Sequence, residues 1–163
     1  MKHIATLLLA GSLVATAEVT DADKAKLIAE GATVFPTCIA CHGPDGTGLK
    51  PAPNMVFAPS LVGSKLALGD PEVFTQIVMK GIKKEGTEYM MVMAPLEASL
   101  DDAKLAAVLT YVRNSFGNEA SAIGPDQVKE WRAKYADRKE PYSRAELAEF
   151  TKKHEEEAKK KAE

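Results

Sequence analysis

Five consecutive residues, Cys38-Ile39-Ala40-Cys41-His42, carry the chemistry most directly legible in this chain, and they include both of its cysteines. Two thiols separated by two residues and followed at once by an imidazole form the c-type haem attachment signature. The sulfurs can add to the two porphyrin vinyl groups as thioethers, and the histidine can bind the iron. One helical turn brings both sulfurs to the same porphyrin edge. Other uses of the pattern fit less well. A thioredoxin-like redox pair wants a βαβ setting, and none is visible. Structural zinc wants four ligands, and no second Cys/His pair exists here.

If His42 takes one axial position of the iron, a second ligand is needed. The chain has three histidines. His3 lies in the leader described below, and His154 lies in a charged tail of a kind that rarely orders. Methionine offers a soft thioether that suits haem iron and raises its potential. Of the six methionines, Met93 is preferred. It stands in a loop between two helices, and Pro95 stiffens the approach. Met90 and Met91 are close enough to compete. Met55 and Met79 read as packing residues, Met79 being on a helix.

The N-terminus gives an independent indication. Met1-Lys2-His3 is a short basic start, Ile4 to Val14 is mostly apolar, and Ala15-Thr16-Ala17 is an A-x-A cleavage site. Residues 1–17 therefore read as a secretory signal peptide, too short to span a bilayer. The mature chain is expected to begin near Glu18 and to work in the periplasm or otherwise outside the cytoplasm. Bacterial c-type haem is attached after export, so leader and motif agree. No later segment is apolar enough to cross a membrane. A net charge of −2 does not indicate a nucleic-acid partner.

The elements that must position these residues read as helices, with strand signals nearly absent. Thr20, Asp21 and Asp23 can cap a first helix from Asp21 to about Pro36. Residues 43–69 are dense in glycine and proline and read as loop, tolerable if the chain wraps a large apolar cofactor. Asp70-Pro71 opens a helix with Val73, Phe74, Ile77 and Val78 on its buried face, ended by Gly81. Residues 81–98 form a second loop holding the methionines. A helix from Asp101 or Asp102 to about Arg113 buries Leu105, Val108, Leu109 and Val112, with Gly117 as its stop. Pro125 opens a helix with Val128, Trp131 and Tyr135, broken by Pro141. Ser143-Arg144-Ala145-Glu146 is a capping box that starts a last helix. Its end, 152–163, is almost wholly charged and reads as a solvated helix or a frayed tail.

Taken together, residues from about Asp21 to Asn118 resemble class I c-type cytochromes of the bacterial, exported, mono-haem kind. The resemblance implies an all-α cytochrome c fold wrapped around one covalent haem c. The haem domain would be 18–118, and 119–163 a charged helical C-terminal extension. Gly31 and Phe35 match the family's first-helix contact, with Val108 and Tyr111 on the partner face. Ala58-Pro59-Ser60-Leu61-Val62-Gly63-Ser64 resembles its proline loop. There the carbonyl of Pro59 would orient His42, and Leu61 would pack on the haem. Tyr89 to Pro95 resembles the distal loop, in which the methionine just before the proline is the ligand; here Ala94 intervenes. The implied function is one-electron transfer between redox proteins, from a dehydrogenase or other donor to an oxidase, reductase or other acceptor. The chain would not itself be an enzyme. Two alternatives are a haem subunit of a larger dehydrogenase complex, and a ligand-binding or peroxidase-type haem protein should the sixth ligand be labile. Lys80, Lys83 and Lys84, beside the distal loop, read as a solvated face that could also steer an acidic partner. Trp131 and Tyr135 are expected to anchor the extension, which also holds Arg138 and Pro141-Tyr142.

Overall fold

A computed structural model describes residues 19–162. The predicted leader lies outside the described residues. Helix α1 (Asp21–Val34) starts where the Thr20 hydroxyl accepts the Asp23 N–H at 3.2 Å. Asp21 and Asp23 place negative charge at the positive end of the helix. The expected run to Pro36 ends two residues early. Proline has no N–H to continue the ladder, and the chain tightens into a 3₁₀ turn, Phe35–Thr37, before the single-turn helix α2 (Ile39–His42).

Helix α5 (Asp102–Arg113), capped by Asp101, lies against α1. Gly31 makes that approach possible. A Cβ built there would stand 2.1 Å from the Ala107 carbonyl oxygen and 2.5 Å from the Tyr111 Cβ. Phe35, Tyr111 and Phe116 pack ring to ring beside the crossing, with centroids 5.2–5.6 Å apart. Helix α5 ends at Arg113, as expected, where the Asn114 N–H turns back to the Tyr111 carbonyl, four residues short of Gly117.

Within the segment expected to be loop, a short helix α3 (Lys65–Leu68) forms under the Ser64 cap. Helix α4 (Pro71–Lys80) begins as expected, with the Asp70 carboxylate accepting the Glu72 and Val73 N–H groups at 2.9 and 3.0 Å. It is buried on all sides from Val73 to Lys80 and not on one face alone. The C-terminal region contributes to this cover: Tyr142 and Leu147 pack with Val73 and Ile77, and Lys134 and Tyr135 donate to Glu72. Helix α6 (Pro125–Lys134) puts Val128 and Trp131 into the same core as Leu105–Leu109. It stops at Lys134, seven residues before Pro141, in a turn closed by Arg138 N–H to Tyr135 O. Helix α7 (Arg144–Ala162) begins at the expected capping box. It stays helical through the charged run, where 155–161 are exposed.

Two buried polar side chains join these parts. The Arg113 guanidinium donates to the carbonyls of Ala67, Gly69 and Ser121 and to the Ser121 hydroxyl, all at 2.7–2.9 Å. Thr110 exchanges hydrogen bonds with the Ile123 backbone at 2.9 and 3.2 Å. No strand forms among the described residues; three isolated bridges occur in the loops.

Candidate functional site

Helix α2 is one turn long, and the Cys41 and His42 N–H groups both donate to the Cys38 carbonyl. That turn holds Cys38, Cys41 and His42 half-buried along one wall of a cavity. The two cysteines are not joined to each other by a disulfide. Burial pushes the Cys38 thiol up, and the neighbouring Thr37 hydroxyl, 3.7 Å from its sulfur, partly offsets this.

His42 Nδ1 donates to the Pro59 carbonyl across 3.2 Å. With the proton there, the lone pair belongs to Nε2. Burial lowers the imidazole pKa, and the Pro59 bond acts the other way. A neutral ring with a fixed tautomer is what a metal ligand requires. The Pro59–Leu61 segment is itself pinned. Leu61 N–H donates to Gly46 O at 2.7 Å. The Asn118 amide nitrogen donates to Leu61 O at 3.0 Å and Val112 O at 2.9 Å, while its oxygen accepts the Gly63 N–H. Leu61 is buried and lines the cavity.

Other walls come from distant segments. Val108, Leu109 and Val112 of α5 line the cavity, as do Phe74, Ile77 and Val78 of α4. The distal loop contributes Met91 and Met93. Met93 is partly buried against the core, and its carbonyl accepts the Ile82 N–H at 2.9 Å. Met91 is 48% exposed and Met90 49%, and Met90 does not line the cavity. Met79 is fully buried, as expected for packing, and Met55 is partly buried outside the cavity.

The cavity measures ≈ 240 Å³; a single water needs about 10–15 Å³ on the same measure. Among the described residues no three His, Cys, Asp or Glu side chains gather to hold a bare metal ion. One imidazole, two thiols on one turn, thioethers from another segment and otherwise mostly apolar walls fit a flat apolar macrocycle with a central metal.

Several placements differ from expectation. Lys80 is no solvated side chain. It is buried and paired with Glu97 at 2.7 Å, because α4 is covered on all sides. Lys83 and Lys84 are exposed and line the cavity rim, with Lys84 Nζ donating to Met90 O at 2.9 Å. His154 does not sit in a loose tail. Its Nδ1 lies 3.0 Å from Asp70 and its ring meets Phe150 edge-on, far from any role at the cavity. Trp131 is buried in the main core, and the Tyr135 hydroxyl donates to Glu72 at 2.6 Å, so both anchor the extension as expected. Sequence reasoning missed Asn118, whose three bonds span up to 57 residues, and Arg144, which lines the cavity from α7. Arg144 had a local signal only as part of the capping box.

The cytochrome c family model matches residues 28–116, more than half of the chain. The chain is also 38% identical over 98 residues to the cbb3-type cytochrome c oxidase subunit CcoP of Cereibacter sphaeroides. That match covers 58% of this chain and 30% of the relative, so the chain spans less than a third of the length of the curated relative it matches.

Proposed function

We propose that the chain, which belongs to the cytochrome c family and carries one covalent haem c, moves single electrons between protein partners outside the cytoplasm. Cys38 and Cys41 are the thioether anchors, and His42 and Met93 the axial ligands. A dehydrogenase or other donor and an oxidase or other acceptor are the partners. The observation that carries this reading is one apolar cavity lined by both His42 and Met93, which belong to segments far apart in the chain.

When bound, the haem supplies a one-electron iron couple whose potential depends on its ligands and surroundings. The protein's residues do the rest. Pro59 holds the proton on His42 Nδ1 and so presents Nε2. Met93 presents a thioether from a loop tied to α4. Leu61, Val78, Val108 and Leu109 exclude water from the site. With His42 and Met93 both holding the iron, no position would be left on it for a substrate, which would separate a carrier from a peroxidase-type haem protein. Met93 is favoured over its neighbours because it is the one most buried, while Met90 does not line the cavity.

The oxidised absorption spectrum tests this. The wild type should show the weak far-red band of Met–iron ligation. Met93→Ala should lose it, turn high-spin or water-ligated, and lower the potential, while Met91→Ala keeps it. A high-spin wild type would overturn the carrier reading, and an unchanged Met93→Ala spectrum would overturn the ligand assignment. Material purified from its native source should begin near Glu18 and carry the added mass of haem. A role as a haem subunit is a second reading, favoured by the identity to an oxidase subunit. Co-purification of the chain with an oxidase or dehydrogenase activity, against elution alone, separates the two.

A further inference from the structure

The segment from Arg138 to Glu146 touches the Met93-bearing loop at three levels. At the backbone, Tyr142 N–H donates to Gly81 O at 3.0 Å and Lys83 N–H donates to Tyr142 O at 2.8 Å. Between those two residues, Ile82 N–H donates to Met93 O at 2.9 Å. Tyr142, Ile82 and Met93 therefore stand in series, joined by main-chain bonds. In packing, Tyr142 is 5% exposed and forms a small core with Val73, Ile77 and Leu147, against which Met93 and Ile82 also pack. At the side chains, the Glu85 carboxylate accepts the Arg144 N–H at 3.2 Å and pairs with its guanidinium at 3.5 Å. Lys83 lies 3.9 Å from Glu146.

The series has little slack. Gly81 has φ 75°, and a Cβ there would stand 2.5 Å from Met93 O. Tyr142 is held in turn from outside. The Arg138 guanidinium lies 3.5 Å from its ring centroid and donates to the Pro141 carbonyl. At the other end of α4, Glu72 accepts from Tyr135 and Lys134, and Asp70 meets His154. The C-terminal region thus grips α4 at its start and the distal loop at its exit.

We propose that the C-terminal extension is a brace for the axial thioether: Tyr142 is a positioning residue that sets how readily Met93 is displaced from the iron. The proposal rests on the reading of Met93 as ligand. A loop that opens by itself does so with a low free energy, set by its few contacts. Contacts absent from the open form make opening rarer. Here those contacts come from a segment that lies outside the family match, residues 28–116.

Imidazole, an exogenous ligand that competes for ferric iron, measures the opening. Loss of the far-red band is followed as imidazole is added to the full-length holoprotein. Tyr142→Ala is expected to lower the apparent imidazole Kd at least tenfold and to speed displacement, with Tyr142→Phe restoring wild-type behaviour. Val128→Ala, in the main core and neither lining the cavity nor belonging to the small Tyr142 core, should leave the apparent Kd within twofold although it costs stability. If Tyr142→Ala does not accumulate, the double variant Glu85→Gln/Arg144→Gln cuts the exposed tether and should lower the Kd about threefold. The brace is overturned if the Tyr142→Ala Kd, or in its absence that of the double variant, equals the wild type. It is also overturned if Val128→Ala shifts the Kd as far as Tyr142→Ala does. A wild-type spectrum without the far-red band removes the Met93 assignment and the brace with it. A wild-type band with an unmoved Kd in Tyr142→Ala removes the brace alone.

Discussion

Gly31→Ala should destabilise the protein although alanine is the better helix former. On intrinsic propensity alone the change favours α1 by roughly 0.5–1 kcal/mol. The new methyl carbon, however, would lie 2.1 Å from Ala107 O, and ordinary van der Waals contact begins near 3.4 Å. The difference, 3.4 − 2.1 = 1.3 Å, is the distance by which α1 and α5 must part at their crossing. The atom in the way is backbone inside a helix, with no rotamer to yield. Overpacking of this kind costs about 1–3 kcal/mol, occasionally more. A backbone clash this close belongs at the top of that range, about 3 kcal/mol; less the propensity gain of roughly 0.5–1 kcal/mol, a net loss of about 2 kcal/mol is expected. The parting also moves Val108 and Leu109, which line the cavity from the same helix. Guanidinium unfolding of the holoprotein, followed by haem absorbance and far-UV circular dichroism together, should show a lower midpoint with an unchanged slope. A Gly31→Ala protein as stable as the wild type would refute the reasoning, since it would mean the helices separate without cost.

Two further outcomes follow from the polar contacts. Glu97→Gln leaves the buried Lys80 ammonium facing a neutral amide; because Glu97 is about one-third exposed, the loss should be about 2–4 kcal/mol, at or below the range for fully buried pairs. Lys80→Met should cost much less, since removing the charge removes the need for a partner, and equal midpoints for Glu97→Gln and wild type would contradict this. Glu146 is held down to about 2, first by the Ser143 N–H and hydroxyl and then by Arg138, against 4.5 ordinarily. Its folded pKa is lowered, so its contribution is complete above pH 4.5 and fades as pH falls toward 2. Acid titration by circular dichroism should therefore show Glu146→Gln lacking a pH-dependent component that the wild type has in that window, and parallel curves would count against the cap.

Element starts were legible because they are local. Thr20, Asp70, Asp101 and Ser143 each cap the helix that follows them, and the haem motif is five adjacent residues. What was illegible depends on contacts across the chain. Helix α3 is four residues long, and carbonyls at its end are held by Arg113, 44 and 46 residues away. Periodicity reports one apolar face of α4, so it could not show that Lys80 is buried and paired with Glu97 from the following loop. Packing of the C-terminal region turned His154 from a tail residue into a contact of the α4 cap. Pro141 marks a break, but α6 had already ended at Lys134. A proline bounds how far a helix can run and does not say where tertiary packing will stop it.

The two thiols and the imidazole occupy a single turn, whereas the rest of the pocket is gathered from across the chain. A small molecule held only by a folded pocket is lost when the polypeptide melts, and its protection varies with how much of it is free in solution. A pigment fastened to one short stretch is retained through melting and refolding. Its contribution is then independent of dilution, and each refolding event begins with the guest already in place at the position of its first contacts.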